Sequence, residues 1–330
     1  MSALAPSLEA YFTERLIGQR CASPNTIAAY RDAWRLMLRF VEERTGKEPC
    51  QLDLADLDAP LVAAFLDHLE QDRHNSVRTR NARLGALRSF FRYAALRHPE
   101  HGALIARVLA IPPKRCERAD VAYLTRPEID ALLAAPDRST WTGRRDHALL
   151  DLAVTTGLRV SELTGLRNQD LDLAAGAHVR CRGKGRKERC TPVDKATVAV
   201  LRTWARERGG EPSDPLFPTY RGTALSRCAV GRLVTKHAAA ATERCPSLGT
   251  KRSTPHVLRH SCAMELLRSG VDIAVIALWL GHEKVDTTRR IYLHGDLSIK
   301  ERALARTAPL HAKPGRYRPP DRLLAFLESL

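Results

Sequence analysis

The chain has 330 residues, more than one average domain, and 44% are hydrophobic, enough to give each of two domains a core. No apolar run approaches the roughly 20 residues of a membrane span, and the opening "MSALAPSLEAYFTERL" lacks the long apolar stretch of a signal peptide, so a cytoplasmic protein with no membrane partner is expected. Lysine and arginine number 53 against 37 acidic residues, a net charge of +16 that attracts polyanions such as nucleic acid, though an ordinary solvated basic surface carries the same excess.

Residues 1–110 read as all helix. "SPNTIAAYRDAWRLMLRFVEERTG" opens with Ser23 as cap and Pro24 in the first turn, and Ile27, Tyr30, Trp34, Met37 and Val41 recur at spacings of three and four. "APLVAAFLDHLEQ" repeats the pattern with Leu61, Val62, Phe65, Leu66 and Leu69. "RTRNARLGALRSFFRYAAL" places Leu84, Leu87, Phe91 and Ala94 on one face and Arg78, Arg80, Arg83 and Arg88 on the other. An apolar stripe backed by arginines suits a helix lying on phosphates, and equally a solvated helix face. "IPPKRCERADVAYLT", residues 111–125, has two prolines and a charge cluster and reads as a linker.

Residues 126–310 are expected to be mostly helical. "RPEIDALLAA" is a short capped helix, and "RRDHALLDLAVTTGL" is an apolar one stopped by Gly157. "HVRCRGKGRKERCTPV" reads as two strands around a Gly/Lys-rich turn, a β-hairpin. "ATVAVLRTWARERG", "SRCAVGRLVTKHAAAA", "HVLRHSCAMELLRSG" and "DIAVIALWLGH" return to helix, and "DLSIKERALART" adds another. The tail "PGRYRPPDRLLAFLESL" breaks and then offers Leu323, Leu324, Phe326 and Leu327 as a short apolar segment. The eight cysteines are scattered and never form C-x-x-C, which argues for free thiols over a disulfide framework or a zinc knuckle.

Four short stretches carry chemistry-bearing residues. In "TTGLRVSELTGL", Arg159 follows a glycine stop at the start of a new helix, and Glu162 lies three residues on, able to orient the guanidinium; alone, this is also a surface ion pair of little worth. In "RGKGRKER", Lys184 sits between two glycines at the hairpin tip, with Arg186 and Lys187 beside it. A lysine there can bring a charge or a proton to a phosphate, and no Ser or Thr follows a Gly-Lys pair as a P-loop requires. In "HVLRH", His256 and Arg259 are three apart and share a helix face. The spacing of His256 and His260 could suggest a metal, but there is no third ligand, and His260 reads as a packed structural histidine. In "LGHEKVDTTRRIYLH", His282 follows a helix stop at Gly281, and Tyr292 comes ten positions later.

Together these give two arginines, a lysine, two histidines and a tyrosine, with no clustered carboxylates of the kind that hold Mg²⁺. That set fits phosphoryl transfer without a metal: arginines clamp the non-bridging oxygens, a cation protonates the leaving oxygen, and a hydroxyl attacks.

The order R…K…H-x-x-R…H…Y resembles the tyrosine recombinase family, of the phage-integrase type, over nearly the whole chain. "SPNTIAAYRDAWRLMLRFV" and "RNARLGALRSFFRYA" are similar to its helical core-binding domain, and the four stretches above are similar to its catalytic motifs. The resemblance implies a mainly α protein: a helical DNA-binding domain over 1–110, the linker 111–125, a mostly α catalytic domain with a small antiparallel β-hairpin over 126–310, and a tail 311–330 that docks on a neighbouring protomer or on its own domain. It assigns Arg159 and Arg259 to the phosphate, Lys184 to general acid catalysis, His256 to proton transfer at the nucleophile, His282 to a hydrogen bond on the phosphate, Glu162 to support of Arg159, and Tyr292 to attack. It also implies double-stranded DNA as partner, a homotetramer in the synapse, a 3′-phosphotyrosine intermediate, and no cofactor. The spacing from His282 to Tyr292 is one residue longer than the family's commoner one. A type IB topoisomerase shares the chemistry, and a catalytically silent DNA-binding protein shares the scaffold.

Overall fold

The computed structural model describes residues 3–116, 122–183 and 188–281, and the chain divides into two compact units, 1–119 and 120–330. The expected fold class holds: the described residues form twelve α-helices and one three-stranded antiparallel sheet. None of these helices is long and apolar enough to cross a membrane.

The first unit is helical. Helix α1 (Leu4–Ala10) runs on as a π-helix over Tyr11–Gln19. Helix α2 (Pro24–Thr45) begins where expected, with the Ser23 hydroxyl accepting from the Thr26 N–H and proline in the first turn. Helix α3 (Ala59–Gln71) is capped by Asp58, α4 (Val77–Arg97) by Ser76, and α5 (Gly102–Ala110) follows. The apolar stripes read from the sequence meet in one core, where Trp34, Met37, Val41, Phe65, Leu69, Leu87, Phe90 and Phe91 are buried. The segment 111–116, the start of the expected linker, is fastened to this unit. The Asn81 side chain exchanges hydrogen bonds with the backbone of Lys114 in both directions, at 2.8 and 3.0 Å, and Lys114 Nζ lies 2.6 Å from Glu70 Oε2.

The second unit is built around α7 (Trp141–Thr156), which packs against α6 (Arg126–Ala134), α9 (Lys195–Arg208) and α11 (Pro255–Arg268). Its core joins Leu149, Leu152, Leu201, Trp204, Val230 and Leu258. Helix α10 (Arg227–Ala241) is tied to α7 by a buried pair, with His237 Nε2 2.9 Å from Asp146 Oδ2. Strands β1 (Leu171–Asp172), β2 (His178–Arg182) and β3 (Glu188–Pro192) follow the short helix α8 (Val160–Gly165). The hairpin is present, with Val179 opposite Thr191 and Cys181 opposite Arg189; β1, only two residues long, adds a strand the sequence reading did not include. Helix α12 (Ile273–Leu280) closes the described chain, and its Leu280 and Ile276 pack with Ala263 and Met264 of α11. All eight cysteines are free. The helix expected over "DLSIKERALART" and the terminal apolar segment lie outside the described residues.

Candidate active site

Two helix stops bring the site together, one at the end of α7 and one at the end of α12. Helix α7 stops at Gly157, which takes the left-handed conformation at φ +62° and turns the chain toward Arg159. A Cβ at Gly157 would sit 2.7 Å from Leu280 Cδ2 and 3.1 Å from Cys262 Sγ, so glycine here also lets α7, α11 and α12 approach. Helix α12 stops in the same way at Gly281, φ +64°, immediately before His282.

The last carbonyls of a helix have no partner within it and carry the negative end of its dipole. In α12, three arginines answer them. Arg189 Nε donates to the Trp279 carbonyl at 3.3 Å, Arg259 Nη2 to Leu280 at 2.5 Å, and Arg159 Nη2 to Gly281 at 2.8 Å. Arg259 also donates through Nη1 to the Gly157 carbonyl at 2.6 Å, which links the ends of α7 and α12. Arg259 is buried, whereas about a third of the Arg159 side chain remains exposed.

Glu162 stands beneath Arg159. Its carboxylate takes Arg159 Nη1 at 2.8 Å and the Arg159 backbone N–H at 2.8 Å. Burial would raise this carboxyl, but hydrogen bonds from Arg189 and the Arg159 backbone, with the Arg189 charge, outweigh it and hold the group down at about 2. The pair is therefore no surface ion pair, since only 2% of the Glu162 side chain is exposed.

His256 lies in the first turn of α11, its ring 4.3 Å from that of the buried His260 in an edge-to-face arrangement. His256 keeps exposed surface, yet the atoms crowded about its ring, then the charges of Arg259 and Arg159, lower its pKa below the ordinary imidazole value. It is thereby neutral at pH 7 and able to accept a proton. Among the described residues no group of three or more His, Cys, Asp or Glu is placed to hold a metal ion. Lys184, Arg186, Lys187, His282 and Tyr292 lie outside the described residues.

Residues 122–298 match the model of the phage integrase family, and residues 10–98 match that of the phage integrase N-terminal SAM-like domain. The chain belongs to the phage integrase family. A Sinorhizobium fredii protein bearing the name integrase/recombinase y4rC is 57% identical over 100% of this chain and 99% of its own length. The tyrosine recombinase XerD of Pseudomonas aeruginosa is 33% identical over 95% of this chain and 98% of its own. Together these make the chain a tyrosine-type recombinase. Among solved structures, the XerH site-specific recombinase in its post-cleavage complex with difH substrate superposes with a TM-score of 0.70 at 22% identity, over 90% of this chain and 84% of that one. The Tn1549 transposon integrase in complex with a circular intermediate DNA gives 0.69 at 15% identity, over 93% and 100%. At these identities the likeness is one of fold.

In this phage integrase family member the four α4 arginines singled out from the sequence divide. Arg78 is exposed, and Arg83 is half-buried with no hydrogen-bond partner for its Nη1 among the described residues. Arg80 departs from the solvent-facing row expected of it: it is buried, with Nη1 donating to the Pro112 carbonyl at 3.3 Å and Nε 3.5 Å from Glu70. Arg88 donates to the carbonyls of Leu109, at 2.9 Å, and Ile111. Helix periodicity puts both on the outer face of α4, but the end of α5 and the segment after it cover that face, and the guanidinium groups satisfy their carbonyls.

Arg189 was not among the residues singled out from sequence. A signal for it exists. In β3 the burial alternates, and Arg189 falls on the same face as the buried Thr191, so the strand aims an arginine inward.

Proposed function

We propose that this recombinase is site-specific, and that it cleaves and rejoins double-stranded DNA through a 3′-phosphotyrosine intermediate at Tyr292. The observation that supports this best is the convergence of Arg159 and Arg259 on the end of α12, directly before His282. Two guanidinium groups fixed on one helix end form a cationic seat whose shape is set before DNA arrives, the arrangement that stabilises charge developing on a phosphate.

The Tyr292 hydroxyl attacks the scissile phosphorus and forms a phosphodiester bond to tyrosine; the bond from phosphorus to the 5′ oxygen breaks. Arg159 and Arg259 take the non-bridging oxygens, with His282 adding a hydrogen bond. His256 accepts the tyrosine proton, as its depressed pKa allows. Lys184 protonates the departing 5′ oxygen. The phosphodiester energy stays in the protein–DNA bond, so a free 5′-hydroxyl, from the same or a partner strand, reverses the steps without ATP. In this reading 1–110 binds the core site with Arg78 and Arg83 toward phosphate, 126–310 performs the chemistry with Arg186 and Lys187 near the backbone, and four protomers assemble on two duplexes in the cytoplasm.

The test is covalent trapping. The protein is incubated in EDTA with labelled duplexes, each carrying a nick, tiled across the DNA that flanks its gene. A protease-sensitive, slowly migrating band on a denaturing gel is expected, and none should form with Tyr292→Phe. An adduct that forms only with added Mg²⁺, or that survives Tyr292→Phe, would contradict the proposal.

A further inference from the structure

One carboxylate in the site serves two arginines. Glu162 Oε1 accepts Arg159 Nη1 at 2.8 Å and Arg189 Nη1 at 2.9 Å; Oε2 accepts the Arg159 backbone N–H at 2.8 Å and Arg189 Nη2 at 2.8 Å. Arg189 thus makes the two-pronged ion pair, and Arg159 the single-pronged one. The Arg189 side chain is 14% exposed against 32% for Arg159, so the more buried cation takes the stronger hold on the acid.

Charge counting shows what this does. Glu162 with Arg159 alone would be neutral, and a phosphate arriving at Arg159 would meet a carboxylate behind it. With Arg189 included, the three groups keep one positive charge, and Arg159 faces solvent as a cation backed by an already neutralised acid. At the distances involved and in a partly buried setting, one charge more or less is worth far more than it would be in water.

A second observation places the same side chain at the exit toward His282. A Cβ built on Gly281 would lie 2.8 Å from Arg189 Nη1, 3.0 Å from its Cζ and 3.2 Å from its Cδ. The arginine therefore runs across the residue that precedes His282, while its Nε holds the Trp279 carbonyl. Its backbone belongs to β3, five residues after Lys184 (189 − 184 = 5).

We infer that Arg189 is a positioning residue of the cleavage reaction: it neutralises Glu162 so that Arg159 stays a net cation for the scissile phosphate, and it fixes the hairpin strand β3 to the end of α12. The inference rests on the phosphotyrosine reading. Arg189 itself touches no reacting atom; it acts through Glu162 and through the backbone of α12.

The experiment is a charge cycle read by single-turnover adduct formation on the trapping duplex, with DNA affinity and thermal melting measured on each variant. Arg189→Gln removes the balancing charge and should slow adduct formation by about 10²-fold while DNA affinity is retained. Adding Glu162→Gln to that variant removes the acid that was left unbalanced, so the double variant should be about tenfold faster than Arg189→Gln alone. A purely structural arginine predicts the reverse, since the double variant loses both partners of a buried pair. Arg189→Lys, which keeps the charge and loses the fork, should fall within about tenfold of wild type, and it carries the test if Arg189→Gln fails to melt cooperatively. Arg189→Gln at the wild-type rate, a double variant no faster than the single one, or an inactive but folded Arg189→Lys would each overturn the inference. No adduct from the wild type would remove the phosphotyrosine reading itself, a result distinct from a wild-type adduct left unchanged by these substitutions.

Discussion

Arg159 and Gly281, 122 residues apart in the chain, meet at 2.8 Å between the guanidinium Nη2 and the carbonyl oxygen. The contact joins the residue that caps α8 to the residue that ends α12. With Arg259 on the Leu280 carbonyl and Arg189 on that of Trp279, the last turn of α12 becomes the common anchor of three cations. Where that helix ends therefore decides where these guanidinium groups stand, two of which, Arg159 and Arg259, hold the scissile phosphate in the proposed mechanism.

Such an anchor makes lysine a poor substitute for arginine. Arg259 bridges the Gly157 and Leu280 carbonyls with its two Nη atoms, and a single ammonium cannot span both and still meet a phosphate. Arg259→Lys should reduce adduct formation by about 10² to 10³-fold, the cost of one lost oxyanion donor. DNA affinity, measured by gel shift, should change little. Cleavage near the wild-type rate in Arg259→Lys would contradict the assignment.

Gly157→Ala tests the seam between helices. The substitution forces a side chain into the left-handed region at φ +62° and onto Leu280 Cδ2. A loss of about 1–3 kcal/mol in urea unfolding is expected from strain and overpacking together. Because the Gly157 carbonyl also holds Arg259, cleavage should fall beyond the fraction unfolded. Unchanged stability would show that α12 moves aside freely.

In the proposed mechanism the pH dependence of cleavage reports His256. Its pKa lies below the ordinary imidazole value, by burial first and then by the charges of Arg259 and Arg159. In the proposed mechanism protonation removes its capacity to take the tyrosine proton, so the acid limb of the rate should lie below the ordinary imidazole value. Arg159→Gln, which removes one of those charges, should move the acid limb upward as well as lower the plateau. An acid limb at or above the ordinary value of 6.5 in the wild type would show that another group controls the rate.

The arginines of α4 should separate into two kinds of mutant. Arg78→Ala, at an exposed position, should weaken DNA binding and reduce the salt slope by about one while leaving stability alone. Arg80→Ala leaves the Pro112 carbonyl and Glu70 without their buried cation and should cost about 1–3 kcal/mol of folding stability. The reverse pattern, with Arg80→Ala affecting only binding, would mean that the end of the first unit opens on DNA.

Much of this was legible because it is local. Ser23 and Pro24 start α2, and the spacing of Trp34, Met37 and Val41 names its buried face, since caps and helix periodicity act within a few residues. Gly157 and Gly281 read as stops for the same reason. The hairpin showed in its glycine-rich turn, but β1 has two residues and no pattern to show. What periodicity cannot carry is the identity of a distant partner. Arg80 and Arg88 look solvent-facing on a helical wheel, and only the fold brings the carbonyls of Leu109, Ile111 and Pro112 over them. In the same way Glu162 was legible as the support of Arg159, whereas its second partner, Arg189, comes from 27 residues away on a strand.

The residue that carries the DNA can be identified chemically. The trapped adduct is digested with protease and nuclease, and the nucleotide-bearing peptide is sequenced by tandem mass spectrometry. A nucleotide joined through its 3′-phosphate to Tyr292 is expected, in the peptide containing "IYLHGDLSIK". The same linkage on any other side chain, or a 5′-phosphate bond to Tyr292, would contradict it.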